Sequence, residues 1–178
     1  MADSKHIITF IWKWEGYGGT LEGDSGGETR KGVTYATWCS MFGNQAHERF
    51  QTMSDMDWNE VFHQTFWNQI LGDQIASQRI ADILVDWIWG SGKHYPEVDV
   101  QTILNSLFGE HLAVDGNFGQ HTIEAINRAD EQSLWDDIVK KRFEYLEGCV
   151  KAHPVNERFL QGWKNRLNDL ITFENANS

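Results

Sequence analysis

Trp14-Glu15-Gly16-Tyr17-Gly18-Gly19-Thr20-Leu21-Glu22-Gly23-Asp24-Ser25-Gly26-Gly27-Glu28-Thr29-Arg30-Lys31-Gly32-Val33-Thr34 is a long stretch of the chain with no helical rhythm. It holds seven of the 16 glycines and has neither a 3.6-residue period nor a sustained period of two. It reads as a long ordered loop or a short irregular hairpin, closed by Thr34 as the N-cap of the next helix. Ahead of it, Ile7, Ile8, Ile11 and Trp14 recur at helical spacing behind Asp3 or Ser4. That spacing predicts a first helix ending near Trp14, stopped by glycine.

Beyond the loop the pattern is mostly helical. Tyr35 to about Phe42 forms a short helix ended by Gly43, and Ser54-x-x-Asp57 caps a helix through Trp58, Val61, Phe62, Phe66 and Ile70, closed by Gly72. A broad apolar face predicts a helix from Ile75 to Trp89, broken by Gly90-Ser91-Gly92. Pro96 opens the next, through Leu107. Val114 to Gly119 is a turn ahead of a helix carrying Thr122, Ile123 and Ile126. Two more helices, 131–152 and 155–173, divide near His153-Pro154. Seven or eight helices with at most a token hairpin make the fold class all-α.

At 178 residues the chain is one domain, or one domain with a small appended lobe. With 40% hydrophobic residues, 23% charged and two prolines it is a folded globule rather than a disordered segment. A net charge of -11 repels phosphate backbones, which excludes nucleic acid as a partner. The same charge opposes approach to anionic wall polymers. Cys39 and Cys149 form no CxxC pair and read as buried thiols. No segment has the length of a membrane span. The N-terminus lacks the pattern of a cleaved leader, so synthesis in the cytoplasm without a signal peptide is expected.

Glu15 sits where a hydrophobic helix meets the glycine-rich loop. A general acid needs a carboxyl of this kind, half-buried on a rigid element, and Trp12, Trp14 and Tyr17 are near it in sequence. The alternative is a solvent-facing Glu at a helix end. Asp24 is either a second carboxylate, ordering water or stabilising positive charge, or a turn former. Thr29 and Thr34 place hydroxyls nearby. Gly26 to Gly32 lacks the Gly-Lys-Ser/Thr of a phosphate loop. The seven histidines are scattered, Glu60-x-x-His63 occurs once, and no cofactor or metal is implied. Of the nine tryptophans, Trp58, Trp67, Trp87 and Trp135 fall on apolar faces and belong to the core.

Taken together, Trp14-Glu15-Gly16 and Gly26-Gly27-Glu28-Thr29-Arg30-Lys31-Gly32-Val33-Thr34 resemble the N-terminal signature of glycoside hydrolase family 108, bacterial and phage N-acetylmuramidases of lysozyme-like fold. Phe66-Trp67 and Asp86-Trp87-Ile88-Trp89-Gly90-Ser91-Gly92 resemble two further motifs of that family. Val114-Asp115-Gly116-Asn117-Phe118-Gly119-Gln120-His121-Thr122 and Phe159-Leu160-Gln161-Gly162-Trp163-Lys164-Asn165-Arg166-Leu167 are similar to elements of its C-terminal peptidoglycan-binding region. The aromatic of the first motif stands one place early, at Tyr17, and Gly90 replaces the family's Asn.

The resemblance implies a lysozyme-like catalytic region over 1–92 and a helical peptidoglycan-binding-like region over 93–178, packed on it as one compact unit. It implies a peptidoglycan glycan strand as partner and hydrolysis of the β-1,4 bond between N-acetylmuramic acid and N-acetylglucosamine. Glu15 is the implied catalytic acid, with Asp24 and Thr34 the closest matches for its helpers. Trp14, Tyr17, Gly27 and Thr29 are the candidate substrate contacts. Action in the periplasm or cell wall follows, after lysis-assisted release or export without a cleaved signal. The alternative is a non-catalytic peptidoglycan-binding or secretion-assisting protein that kept the cleft.

Overall fold

The computed structural model describes residues 1–15, 28–44 and 47–177. The first helix, α1 (Ser4–Glu15), buries Ile7, Phe10 and Ile11, and Asp3 caps it by accepting from the Lys5 amide at 3.0 Å. Two short strands, β1 (Thr29–Arg30) and β2 (Val33–Thr34), pair antiparallel, with Thr29 opposite Thr34. Lys31 and Gly32 both turn with positive φ, at 47° and 79°, the backbone a two-residue hairpin requires. The hairpin predicted as one of two alternatives is therefore present at the end of the glycine-rich stretch.

Three short helices follow: α2 (Tyr35–Phe42), α3 (His47–Gln51) and α4 (Asp55–Phe62). Thr34 caps α2 by accepting from the Thr37 amide, and Ser54 with Asp57 forms a complete capping box on α4. Both caps were legible in the sequence, whereas α3 was not. Its five residues carry no period long enough to read. The predicted helix through Ile70 changes type instead of continuing, passing to a π-turn over His63–Trp67 and to 3-10 turns over Asn68–Ile70 and Gly72–Gln74. The cause is the fully buried Trp67, whose indole packs against Gly72 so closely that a Cβ there would meet it at 2.3 Å.

α5 (Gln78–Ser91) runs through the middle of the molecule, with every residue from Ile80 to Ile88 buried. It begins later than its apolar pattern predicts. Ser77 is its N-cap, and the Ile75 carbonyl accepts from the Ala2 amide at 2.9 Å instead of entering a helix. α6 (His94–Leu107), α7 (Gln120–Arg128), α8 (Glu131–Ala152) and α9 (Glu157–Asn177) complete the chain. α8 and α9 form a helical hairpin turned at Pro154, so α9 returns against α1. Trp58, Trp67, Trp87 and Trp135 are core residues, as their placement predicts. Cys39 and Cys149 are free thiols but only partly buried, because Trp38 takes the core position beside Cys39. Among the described residues no helix is long and apolar enough to cross a membrane.

Glu97 is buried on α6, and among the described residues its Oε2 lacks a hydrogen-bond partner. Burial pushes its carboxyl from 4.5 up to about 7. The folded state thus holds the proton more tightly than the unfolded chain. The stability this gives is full below pH 4.5 and is lost as pH rises through about 7. A Glu97→Gln variant removes the ionisation, so its melting temperature should fall less than the parent's between pH 5 and 8, measured by thermal unfolding at matched ionic strength.

Candidate active site

Glu15 is the last residue of α1, where the helix fixes its backbone while the side chain stays about 21% exposed. Its Oε1 accepts two hydrogen bonds, from Trp89 Nε1 at 2.8 Å and from the Arg166 guanidinium at 2.7 Å. Its Oε2 faces the hairpin at Gly32, where an added Cβ would stand 2.6 Å from it. Glycine at 32 thus serves both the positive φ of the turn and the approach of the carboxylate.

Arg166 comes from α9 and reaches past Glu15 to Asp86 of α5. Its Nε and a terminal nitrogen donate to Asp86 Oδ1 at 3.1 and 2.8 Å. Asp86 Oδ2 accepts from Arg142 of α8 at 3.0 Å, and Arg142 also donates to the Ile83 carbonyl at 3.3 Å. Burial alone would push the Asp86 carboxyl up, but the two guanidiniums outweigh it and hold Asp86 below the usual carboxylate range. Asp86 and Glu15 in turn raise Arg166 against the effect of its burial. Two carboxylates and two guanidiniums balance in charge, and at the deepest point Arg166 places two donors on Asp86 Oδ1 while Arg142 takes Oδ2.

Trp14 points elsewhere. Its Nε1 donates to Asp169 Oδ2 at 2.8 Å, the oxygen that Lys13 also reaches at 2.8 Å, and both bonds hold Asp169 below its ordinary range. With Asn165, Asn168 and Thr172 these residues line a shallow depression of about 510 Å³ between α1 and α9. Glu15 does not line it and turns to the hairpin instead. Thr29 lies opposite Thr34 in the hairpin. The Thr34 hydroxyl is engaged in capping α2, accepting from the Thr37 amide at 3.1 Å and lying 2.9 Å from the Thr37 hydroxyl. Tyr17, Asp24 and Gly27 lie outside the described residues.

Of the aromatic residues near Glu15 in sequence, Trp12 and Trp14 have their indoles engaged with other partners. Trp12 packs edge-on against Trp58 at 5.4 Å, and the indole bonded to Glu15 is that of Trp89. Reading the sequence near Glu15 missed Trp89, Arg166, Asp86 and Arg142, because their partners are 74 residues distant or more for Trp89 and Arg166. The signal was present in two of the motifs. Asp86-x-x-Trp89 and the final Arg166 of the Phe159–Arg166 segment are the residues that converge here.

Residues 8–92 match the family described as Glycosyl hydrolase 108, and residues 95–168 match the Predicted Peptidoglycan domain. The first of these matches places a glycosyl hydrolase 108 region in the N-terminal half of the chain, and the second places a predicted peptidoglycan domain after it. With the two matches together the protein is a glycoside hydrolase of the peptidoglycan-hydrolase class, acting on the cell wall. A solved structure, SagA of Brucella abortus, superimposes with a TM-score of 0.79 over 93% of this chain and 90% of that one, at 18% identity. Likeness at that identity shows a shared fold. No curated protein matches this chain.

Removing the shared guanidinium leaves Asp86 buried with Arg142 alone and releases Glu15. Arg166→Gln should therefore cost about 3–5 kcal/mol of unfolding free energy, read from urea melts. Gly32→Ala tests the hairpin contact separately. It should lower hydrolysis of purified peptidoglycan well beyond its effect on the urea midpoint, since the new Cβ displaces Glu15 Oε2.

Proposed function

We propose that this hydrolase cleaves the β-1,4 link between N-acetylmuramic acid and N-acetylglucosamine, with Glu15 as general acid. The observation that carries the reading is the division of labour between the two oxygens of Glu15. Both hydrogen bonds from Trp89 and Arg166 fall on Oε1, while Oε2 faces the hairpin. Oε2 is the oxygen that would deliver the proton to the leaving glycosidic oxygen.

The ion pair with Arg166 sets a condition on this chemistry. A proton donor must be protonated when substrate arrives, so the contact has to open in the glycan complex. Asp86 makes that inexpensive, because it already holds Arg166 by two bonds and keeps the guanidinium compensated when Glu15 lets go. Asp24 is assigned as the second carboxylate, placing water or steadying the oxocarbenium-like transition state, and Thr34 contributes a hydroxyl beside the hairpin. Tyr17, Gly27 and Thr29 are assigned to line the substrate beside Glu15, whereas Trp14, bonded to Asp169, would meet a glycan only in the separate depression between α1 and α9. Residues 1–92 form the catalytic region and 93–178 the wall-binding region packed on it, with Arg166 carried from the second to the first. Release by lysis, or export, brings the protein to the periplasm or wall.

Purified peptidoglycan digested with parent and Glu15→Gln protein, followed by muropeptide mass spectrometry, tests the reading. The parent should release fragments with N-acetylmuramic acid at the reducing end, and the variant should be slower by about 10²–10⁴-fold. Equal release by both proteins overturns the role of Glu15. Fragments ending in N-acetylglucosamine, or in an anhydro sugar, overturn the assigned bond or the hydrolytic step. Binding without release by the parent would leave a wall-binding role alone.

A further inference from the structure

Phe159 and Trp163, on the first two turns of α9, hold aromatic surface outside the core. Phe159 is 38% exposed and Trp163 is half-buried, and neither packs against the hydrophobic cluster that Trp12, Trp89 and Phe173 adjoin. Their rings lie nearly parallel, 27° apart in plane with centroids 6.0 Å apart. We infer that this pair is a saccharide subsite, on which amino-sugar rings of the peptidoglycan strand stack as the strand extends from Glu15.

The placement follows from the direction of α9. It runs antiparallel to α1, since His6 lies by Glu174, Lys13 by Asp169 and Glu15 by Arg166. Phe159, Trp163 and Arg166 form an i, i+4, i+7 series on one face of the helix. At 1.5 Å per residue, Trp163 and Phe159 stand about 4.5 and 10.5 Å along the axis from Arg166. By that level α1 has ended at Glu15, and α5 ends at Ser91, just past the Trp89 that bonds Glu15. These turns of α9 are held from the other side by α8, where Lys164 pairs with Glu147 at 2.7 Å and Asn156 donates to the Cys149 carbonyl at 3.4 Å. The aromatic pair is therefore a fixed surface continuing from the carboxyl. The inference rests on the reading of Glu15 as the acid, because continuity with that carboxyl decides where the strand lies.

The C–H faces of a pyranose carry slight positive charge and fit the negative face of an aromatic ring, so stacking recognises a sugar without an ionic partner. Arg158 adds the charge. Its guanidinium lies 4.5 Å from the Phe159 ring centroid, and among the described residues no carboxylate pairs with it. In a chain of net charge -11, that cation is placed to receive the carboxylate on the lactyl arm of N-acetylmuramic acid where no peptide caps it. N-acetylglucosamine has no such group. The match to the Predicted Peptidoglycan domain runs to residue 168 and takes in all three side chains, which favours a wall glycan over any other saccharide as the occupant.

The test uses the full chain carrying Glu15→Gln, so that probes persist, and titrates two tetrasaccharides in a calorimeter. One is peptide-free glycan of alternating N-acetylglucosamine and N-acetylmuramic acid, the other N-acetylchitotetraose. Phe159→Ala and Trp163→Ala should each weaken both by about tenfold at an unchanged melting temperature. Arg158→Gln should weaken the first probe alone. With Glu15 restored, the aromatic variants should raise KM for soluble peptidoglycan while kcat holds. If Trp163→Ala fails to fold, the more exposed Phe159→Ala carries the test. Binding by Phe159→Ala equal to that of the Glu15→Gln chain, or a loss matched by a fall in melting temperature, overturns the subsite. An equal effect of Arg158→Gln on both probes overturns the carboxylate contact. Cleavage of a probe by the Glu15→Gln chain overturns the acid and not the aromatic subsite, which the KM comparison still reads.

Discussion

The Arg166 guanidinium is shared between a carboxylate at the end of the first helix and a buried carboxylate on the central one, and the remainder of the site is arranged around that sharing. Asp86 at full burial would be a severe cost by itself; with Arg166 and Arg142 on its two oxygens it becomes an anchor. Because the anchor is on α5, whose residues from Ile80 to Ile88 are all buried, the guanidinium is fixed relative to the core. Glu15 inherits that fixity through one hydrogen bond, and Trp89, one turn beyond Asp86 on α5, supplies another. A carboxyl at a helix end is ordinarily loose. Here three helices and a hairpin define where its oxygens lie.

The hairpin completes the site from the opposite side. Its turn uses positive φ at Lys31 and Gly32, and the missing side chain at 32 is what allows Glu15 to approach the backbone. Lys31 ties the turn down, its carbonyl accepting from Trp58 Nε1 at 2.9 Å and its ammonium pairing with Asp55 at 2.8 Å. The aromatic cluster of Trp12, Trp58, Phe62 and Trp89 lies beneath, so the core tryptophans carry the turn as well as filling space.

Most of the fold was legible because its helices announce themselves locally. Thr34, Ser54 and Pro154 mark boundaries by chemistry confined to a few neighbouring residues, and the apolar periods of α5, α8 and α9 are long. What could not be read depends on contacts distant in sequence. The helical pattern through Phe66 continues, yet Trp67 seated against Gly72 forces a π-turn and then 3-10 geometry. Ile75 is apolar and in phase with α5, yet its carbonyl is taken by Ala2. The site divides the same way. Glu15 stood out by its place between helix and glycines, whereas Arg166 and Asp86 are ordinary charged residues on helices until the chain folds.

That Glu15 leans on a residue from the last helix bears on the order in which the molecule is made. A ribosome delivers α1 some 151 residues before Arg166 of α9, so a growing or prematurely ended polypeptide has its acidic side chain without the guanidinium that orients it. Fragments released by stalled translation or proteolytic trimming short of α9 thus leave Glu15 unheld, and the arrangement belongs to a polypeptide that carries both helices.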